Sequence, residues 1–363
     1  MTNRSHVLYD ARVAAGLSAA LFRARHPIGH RSEVPARFDV ARDQLIVLSD
    51  MHRGVRGRID DFPQCEPVYL EALDHYLREG YTLAVLGDAE ELWKHKPRAV
   101  LAAYADSYHR EMGFLQTGRY LRFWGNHDEE WASPLAVRHE LASAFDGTYP
   151  VVRESLLLEA VSSGRTLGHV YLVHGHQGTG FNDTVSFLAR FTVRFVWKPI
   201  QHLTRLSRNA PSTNRAMRDR HNRAMQRWAE RHEKLLLISG HTHRPVFASI
   251  SVVDELERRL GTQIEEIRGR ADDESFWNQI EADCIERGWM GDGSPCAPGR
   301  TAGERPPEPC LFNSGCCCFN DGRITGIELA DGQIRLVVWG GGRPESRRVL
   351  ASAALTAVFD RIS

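Results

Sequence analysis

Five short segments of the chain combine aspartate, asparagine and histidine with glycine in a pattern that suits metal binding. In chain order they are Asp50-Met51-His52, Gly87-Asp88-Ala89-Glu90-Glu91, Gly125-Asn126-His127-Asp128, His174-Gly175-His176 and Gly240-His241-Thr242-His243. Carboxylate, amide and imidazole groups are ligands for manganese, iron or zinc. Two such ions held roughly 3.5–4 Å apart need a bridging carboxylate and several further ligands. One segment alone is a weak signal, but the five together predict a metal site with hydrolytic chemistry.

Each segment follows a short apolar run that is typical of a buried strand. The runs are Leu45 to Leu48, Thr82 to Leu86, Tyr120 to Trp124, Val170 to Val173 and Leu235 to Ile238. Between them, Glu66 to Glu79 and Arg98 to Met112 have helical spacing. Strands that alternate with helices predict an α/β fold, in which ligands bind beyond the carboxyl ends of the strands. Such a fold would bring the five segments to one place.

The composition is that of an ordinary soluble globular protein. Of the 363 residues, 42% are apolar and 25% are charged, and 46 basic residues balance 46 acidic ones. The overall charge therefore indicates no polyanionic partner. Seven cysteines without C-x-x-C spacing predict free thiols in a reducing compartment rather than a disulfide framework. We interpret the run Cys316-Cys317-Cys318 as part of a buried strand, in which alternation would point Cys317 away from its two neighbours. Redox sensing is the alternative interpretation of the run.

Changes in composition predict the domain organisation. Residues 1–43 form an N-terminal helical segment, 44–180 and 233–363 form the core, 181–232 form a basic helical cap, and about 271–310 form a loop insertion. The apolar run from Val13 to Phe22 has charged flanks and is shorter than the roughly 20 residues that span a bilayer. We therefore expect a helix packed on the core and a cytoplasmic protein. Residues 324–339 predict a β-hairpin with a turn at Asp331-Gly332.

The order D-x-H, G-D-x-x-E, G-N-H-D, H-G-H and G-H-T-H resembles that of the calcineurin-like metallophosphoesterase superfamily. The resemblance covers about Gln44 to Gly315, and Asn313-Ser314-Gly315 stands where the family often has an Asn-x-Gly turn. It implies a metallophosphoesterase β-sandwich core flanked by helices. It also implies hydrolysis of phosphodiester or phosphomonoester bonds at two divalent ions, manganese or iron first and zinc as the alternative. The ions would lower the pKa of a bridging water, and the resulting hydroxide would attack phosphorus in line.

The resemblance also assigns the metal ligands. One metal would be bound by Asp50, His52, Asp88 and His243. Asp88 would bridge to a second metal, which Asn126, His174 and His241 complete.

His127 takes the family position of the charge stabiliser or general acid at the leaving oxygen. It needs a carboxylate partner that fixes its tautomer. Glu91 matches the family position for that partner, and Asp128 is the alternative. Arg53 would bind a non-bridging phosphate oxygen, or would be a solvated arginine at a strand end. His176 would support the metal ligands or have no role, and His221 is expected on a helix face without a role.

The substrate class stays open at this stage. Gly87 to Trp93 is similar to the G-D-x-x-E-x-W turn of the UDP-2,3-diacylglucosamine pyrophosphatases, although that family has arginine at the position of His127. The segment 181–232 carries eleven basic and three acidic residues, a local net charge of +8. It would suit a lipid phosphate, a membrane surface, single-stranded nucleic acid or a homodimer contact.

A small phosphodiester or phosphomonoester is our first expectation. A lipid-linked or nucleotide-sugar pyrophosphatase comes second, and a nuclease third. A binding module that kept the fold and lost the chemistry is the outsider, since every expected ligand and His127 are present.

Overall fold

The computed structural model of the chain describes residues 3–26, 37–179, 215–251, 308–340 and 346–362. Its helices are α1 (Asn3–Arg25), α2 (Glu66–Arg78), α3 (Pro97–Ala103), α4 (Ala105–Gln116), α5 (Pro134–His139), α6 (Arg215–Ala229) and α7 (Leu355–Arg361). Its strands are β1 (Arg37–Asp39), β2 (Leu45–Leu48), β3 (Thr82–Leu86), β4 (Tyr120–Phe123), β5 (Val152–Arg153), β6 (Ser155–Ser162), β7 (Arg165–Val173), β8 (Leu235–Ser239), β9 (Val246–Phe247), β10 (Ile250–Ser251), β11 (Leu311–Asn313), β12 (Ile324–Ala330), β13 (Gln333–Trp339) and β14 (Arg347–Ala354).

These strands form two mixed sheets. The first has the order β1-β6-β7-β8-β11-β9-β10, and the second has the order β14-β13-β12-β2-β3-β4-β5. In the second sheet β2, β3, β4 and β5 are parallel neighbours, so the carboxyl ends of β2, β3 and β4 meet at one edge. In the first sheet β7 and β8 are parallel, so their carboxyl ends also lie side by side. The predicted fold class, an α/β metallophosphoesterase core of two sheets flanked by helices, is confirmed.

Strand β2 shows how the core is divided. Leu45 and Val47 belong to a buried cluster that joins the two sheets and extends to α1, α6 and α7. Ile46 and Leu48 point the other way, into a second cluster between the second sheet and helices α2 to α5. Because successive side chains of a strand alternate between its faces, a strand buried on both sides reads as a continuous apolar run. That burial explains why the sequence pattern located the strands so well.

One predicted helix is two helices in the structure. The spacing from Arg98 to Met112 predicted a single helix, but Tyr104 leaves the helical conformation (φ −124°, ψ 36°) and separates α3 from α4. The Tyr104 ring is buried against Phe62, and its hydroxyl donates to Asp60 Oδ2 at 2.6 Å. These contacts outweigh the helical periodicity. The hairpin of β12 and β13 forms as predicted, with Asp331 and Gly332 both at positive φ.

Helix α1 packs on α6, the described end of the predicted cap. Trp228 Nε1 donates to Ser18 Oγ at 2.9 Å, and Arg227 pairs with Asp10 at 2.7 Å. No helix within the described ranges is both long and apolar enough to cross a membrane. Most of the predicted cap (residues 181–214) and most of the predicted loop insertion (271–307) lie outside the described residues, so their organisation stays a prediction.

Candidate metal centre

The predicted ligand turns share an uncommon backbone conformation. Asp50, His52, Asp88, His241 and His243 all have positive φ, between 50° and 68°. A non-glycine residue in this left-handed region costs roughly 1–3 kcal/mol, and such residues cluster at functional sites. All five residues lie within four positions of the end of β2, β3 or β8. The strain therefore supports a functional role for these turns.

The first ligand group contains Asp50, His52 and His243. The Nε2 atom of His243 lies 3.2 Å from Asp50 Oδ1, and that of His52 lies 3.8 Å from the same oxygen. The two Nε2 atoms are 3.0 Å apart. One ligand atom from each of the three residues lies within 4.8 Å of the others, which is a spacing that one cation can span. Asp50 comes from the second sheet and His243 from the first, so the group joins the two sheets.

The second ligand group contains Asp88, His174 and His241, and Asn126 belongs to the turn whose next residue, His127, binds Asp88 through its backbone N–H. His174 Nε2 lies 3.2 Å from Asp88 Oδ2, and His52 Nε2 lies 3.8 Å from the same oxygen. Asp88 therefore stands between the two groups, where a bridging carboxylate must be. It also accepts a hydrogen bond from the backbone N–H of His127 at 2.8 Å through its other oxygen.

Two buried ligand atoms test whether a metal fits this site. Asn126 Oδ1 and His241 Nε2 are shielded from solvent and have no hydrogen-bond partner in the described part of the chain. A buried polar atom left unpaired costs roughly 1–3 kcal/mol. His241 Nε2 belongs to the Asp88 group, and Asn126 directly precedes His127, whose backbone N–H binds Asp88, so a bound cation would satisfy both atoms. The residues present therefore fit a metal ion of the kind that oxygen and imidazole ligands prefer.

The hydrogen bond at Nδ1 of His174 determines which ring nitrogen can bind a metal. Its Nδ1 donates to the carbonyl oxygen of Leu86 at 2.8 Å, which leaves Nε2 as the lone pair that faces Asp88. Metal-binding histidines usually hold their tautomer in this way. The Asp50 carboxylate is also held in place by hydrogen bonds. Its Oδ2 atom accepts one from the hydroxyl of Ser49 and one from the backbone N–H of His241, the latter at 2.9 Å.

Comparison with known proteins identifies the family. A model of the calcineurin-like phosphoesterase family matches residues 44–245, more than half of the chain. The chain belongs to the calcineurin-like phosphoesterase family. Its membership supports a metal-dependent phosphoester hydrolase. No curated protein matches the chain. Among solved structures it is similar to Vacuolar Protein Sorting 29 from Cryptosporidium parvum, with 11% identity and a TM-score of 0.35 over 86% of this chain and 96% of that one.

His127 lies at the rim of the ligand groups. Its Nδ1 is 3.1 Å from Glu91 Oε1, and Lys94 binds the other oxygen of Glu91 at 2.9 Å. The half-exposed ring of Trp93 stacks on His127 with centroids 4.0 Å apart. Burial alone would lower the pKa of His127, but the Asp88 and Glu91 carboxylates outweigh it and raise that pKa. Of the two predicted partners of His127, the structure places Glu91 beside the ring.

Asp128 lies behind the ligand turns instead. Its carboxylate accepts hydrogen bonds from the backbone N–H groups of Gly125, Ala89 and Asp88 at 2.6, 2.9 and 3.3 Å. Burial and the nearby Glu90 carboxylate raise the pKa of Asp128 to about 7. The side chain therefore fastens the turn after β3 to the turn after β4.

The structure does not bring Arg53 to the ligand groups. Its side chain is fully buried, and its guanidinium pairs with Glu111 and lies 3.8 Å from Glu90. The tyrosine rings of Tyr69 and Tyr108 enclose it at 5.2 and 4.7 Å. The sequence predicted that Arg53 would bind a phosphate oxygen or would be solvated at a strand end. Both predictions are wrong, because the guanidinium is buried and paired.

Several residues that position the site were missed or misjudged from sequence. His221 was expected on a helix face without a role, yet it is buried and lies between the carbonyl oxygen of Gly175 (2.5 Å) and the hydroxyl of Tyr9 (2.8 Å). Glu111 and Arg122 are buried in the same ionic cluster as Arg53. The only signal for them in the sequence would have been charged residues at apolar positions of a helix and a strand.

The last two expectations concern His176 and the cysteine run. The His176 ring lies beside His174 with centroids 5.5 Å apart, so it adjoins the ligands without replacing one. The predicted buried strand at 316–318 does not form, because β11 ends at Asn313 and the chain turns there.

Proposed function

We propose that this protein hydrolyses a phosphodiester or phosphomonoester bond of a small-molecule substrate at a dinuclear metal centre. The observation that carries the proposal is the position of Asp88 between two groups of ligand atoms. In addition, Asn126 Oδ1 and His241 Nε2, in two of the predicted ligand turns, are buried and have no partner within the described residues. Two divalent ions, manganese or iron first and zinc as the alternative, would polarise the phosphoryl oxygens and activate water near neutral pH.

Each ligand group would hold one ion. Asp50, His52 and His243 would bind the first, and Asn126, His174 and His241 would bind the second, with Asp88 shared between them. The turn strain and the hydrogen bonds described above would hold these side chains in place before an ion arrives, which reduces the cost of ordering them.

His127 would act on the leaving oxygen. Because Glu91 accepts the proton on Nδ1, Nε2 is the nitrogen left for the substrate. The stacked Trp93 ring restricts the rotation of the imidazole. This arrangement supports catalysis over a binding module that lost its chemistry. The nuclease, membrane-surface and homodimer alternatives depend on residues 181–232, mostly outside the described residues, and remain predictions. The lipid pyrophosphatase alternative depends on that segment and on the sequence of Gly87 to Trp93, and it also remains a prediction.

The decisive experiment removes the shared carboxylate. Bis-p-nitrophenyl phosphate and p-nitrophenyl phosphate are assayed with Mn²⁺, with EDTA, and with Asp88→Asn. We expect turnover that requires metal and falls by more than about 100-fold in the variant, since even a residue that supports a metal ligand contributes roughly 10–100-fold. Asp146→Asn is the matched control, because Asp146 is an exposed aspartate with φ 48°, close to the 50° of Asp88.

The outcomes separate clearly. Turnover that survives EDTA, or that Asp88→Asn and Asp146→Asn change equally, would refute the proposal. The ratio of diester to monoester turnover selects the substrate class. If elemental analysis finds about two bound metals and neither ester is cleaved, the small-ester proposal fails in favour of the lipid-linked pyrophosphates.

A second variant examines the role of His127. Glu91→Gln removes the negative charge that fixes the imidazole, so kcat should fall roughly 10–100-fold while bound metal stays at the wild-type level. Lys94→Met is the comparison, because Lys94 is half-exposed and only contacts the outer oxygen of Glu91. A Glu91→Gln protein that loses its metal together with its activity would show that Glu91 serves the metal ligands rather than His127.

A further inference from the structure

A second set of metal-ligand atoms lies on the far side of His243. The sulfur atoms of Cys316 and Cys318 and a ring nitrogen of His243 lie within 4.8 Å of one another. Cys318 Sγ is 3.8 Å from His243 Nδ1. The other nitrogen of that ring, Nε2, is the one that faces Asp50 and His52. The two nitrogens of one imidazole therefore face two different groups of atoms. A neutral ring has a lone pair on only one nitrogen, so both groups can hold an ion at once only when the ring has also released its N–H proton to solvent.

The backbone explains why these two thiols meet. Gly315 has φ 76°, and a Cβ atom there would come within 2.1 Å of Thr325 Oγ1, so the chain can turn tightly only at glycine. After the turn, the backbone N–H of Cys317 donates to the carbonyl oxygen of Ser49 at 3.1 Å, and the Cys317 side chain packs into the core of the second sheet. This anchoring leaves Cys316 and Cys318 on the side of His243.

The spacing matches that of a tetrahedral thiolate site. With a metal–sulfur distance of about 2.3 Å and a metal–nitrogen distance of about 2.0–2.1 Å, tetrahedral angles put sulfur and nitrogen about 3.6 Å apart. The observed separation of Cys318 Sγ and His243 Nδ1 is 3.8 Å. The other two separations are no more than 4.8 Å, so they would have to shorten by about 1 Å at most to close the site around an ion.

We propose that Cys316, Cys318 and His243 Nδ1 form a separate binding site for one thiophilic divalent cation, Zn²⁺ or Cd²⁺. Thiolate ligands select such ions over manganese and magnesium, whereas the dinuclear groups offer oxygen and imidazole only. Cys318 is half-buried, so an ion can reach the site from solvent. Three protein ligands leave the fourth position to water or to a small thiol. Because the proposal concerns cation binding alone, it does not rest on the proposed hydrolysis.

The test is a cadmium titration of the full-length, metal-free protein kept reduced with a phosphine. Thiolate-to-cadmium charge transfer produces an ultraviolet absorption band that oxygen and imidazole ligands do not produce. We expect a band that saturates at one equivalent per chain and is lost in Cys316→Ser and in Cys318→Ser. Asp88→Asn should keep the band, which separates this site from the dinuclear centre.

Two controls test three of the five other thiols. Cys310→Ala removes a buried cysteine near Ser249, and the double variant Cys284→Ala/Cys296→Ala removes two more; both proteins should keep the band. Circular dichroism confirms that each variant is folded, and Cys318→Ser, at a half-buried position, is the variant least expected to perturb folding. A band that persists in folded Cys318→Ser would overturn the proposal. The absence of any band in the wild type would overturn it as well, and would leave the thiols as hydrogen-bond partners of His243.

Discussion

The two halves of the candidate metal centre are supported by different chemistry. The carboxylate half consists of the turns that carry Asp50, Asp88 and Asn126, and it comes from the second sheet. The imidazole half consists of the turns that carry His174, His241 and His243, and it follows β7 and β8 of the first sheet. Behind the carboxylate half lies an extended buried network of ions, whereas hydrogen bonds of neutral side chains and the local ion pair of Arg244 with Asp219 support the imidazole half.

Buried charge dominates the support of the carboxylate half. Arg122 pairs with Glu90 at 2.5 Å and lies 3.6 Å from Asp128, whose carboxylate binds the backbone of both neighbouring turns. Glu111 holds Arg53 and accepts the hydroxyl of Tyr69 at 2.9 Å. Such a network costs desolvation energy, and it persists only when nearly every member has a partner.

Neutral groups support the imidazole half. Asn313 Nδ2 lies 2.6 Å from the carbonyl oxygen of Gly240 and 3.2 Å from both Ser239 Oγ and Thr242 Oγ1. His221 binds the carbonyl oxygen of Gly175 between two ligand turns. A neutral imidazole is the form that binds metal. One buried cation, Arg244, follows His243 directly, and its charge is paired with Asp219. The comparison teaches that an extended ionic network supports one half, whereas hydrogen bonds of neutral side chains and a local ion pair support the other.

The largest expected loss of stability follows from breaking the ionic network behind the carboxylate half. Glu111→Leu leaves Arg53 without its closest partner, and removing one member of a buried ion pair costs about 3–5 kcal/mol. Urea unfolding in EDTA measures the loss without any contribution from metal. Glu140→Gln is the matched control, because its partner Arg98 is 78% exposed and surface pairs contribute about 1 kcal/mol or less. Equal losses in the two variants would contradict the role assigned to the network.

A smaller effect is expected in the imidazole half. Asn313→Ala deprives the turn of its side-chain hydrogen bonds, which should cost about 1–3 kcal/mol of stability. It should also weaken metal binding roughly 10–100-fold, because the turn that presents His241 and His243 becomes less ordered. Competition with a chelator measures the affinity. The exposed Asn320→Ala serves as the control, and an affinity equal to that of the control would argue against this support.

The pH dependence of the unfolding free energy tests whether His221, in the imidazole half, is neutral in the folded protein. Burial lowers the pKa of His221 to about 4, despite the hydrogen bond to Gly175 that opposes the shift. The unfolded chain therefore takes up a proton on this residue before the folded chain does, and stability is lost as pH falls from about 6.5 toward about 4. Between pH 7 and pH 5 this one group should remove about 2 kcal/mol of unfolding free energy.

Comparison of variants isolates that contribution from the other histidines. Urea unfolding at the two pH values should show a weaker pH dependence for His221→Gln, which keeps a donor for the Gly175 carbonyl but does not titrate. The exposed His109→Gln should retain the wild-type dependence. If His221→Gln also retains it, then His221 does not stay neutral in the folded protein.

Much of this architecture could be predicted from the sequence. Strands β2 and β3 have the predicted bounds, and the five predicted turns follow the predicted strands. The break at Tyr104 could not be predicted, because the periodicity of 98–112 is helical and only the tertiary burial of the ring interrupts it. The position of the Arg53 side chain could not be predicted either. An arginine directly after a metal-ligand motif is expected to face the metal site, but Arg53 pairs with the buried carboxylate of Glu111 instead.

By itself, the sequence determined the order of the strands along the chain, the ligand type at the end of each, and the family. These features are local, because an apolar run encodes burial and the residues that follow it encode the turn. Only the tertiary structure decided which atoms meet. In the folded chain Glu91, rather than Asp128, lies beside the ring of His127, and Cys318 lies beside Nδ1 of His243. Such contacts join residues far apart in the chain, and the packing of two sheets, which no local pattern records, sets their distances.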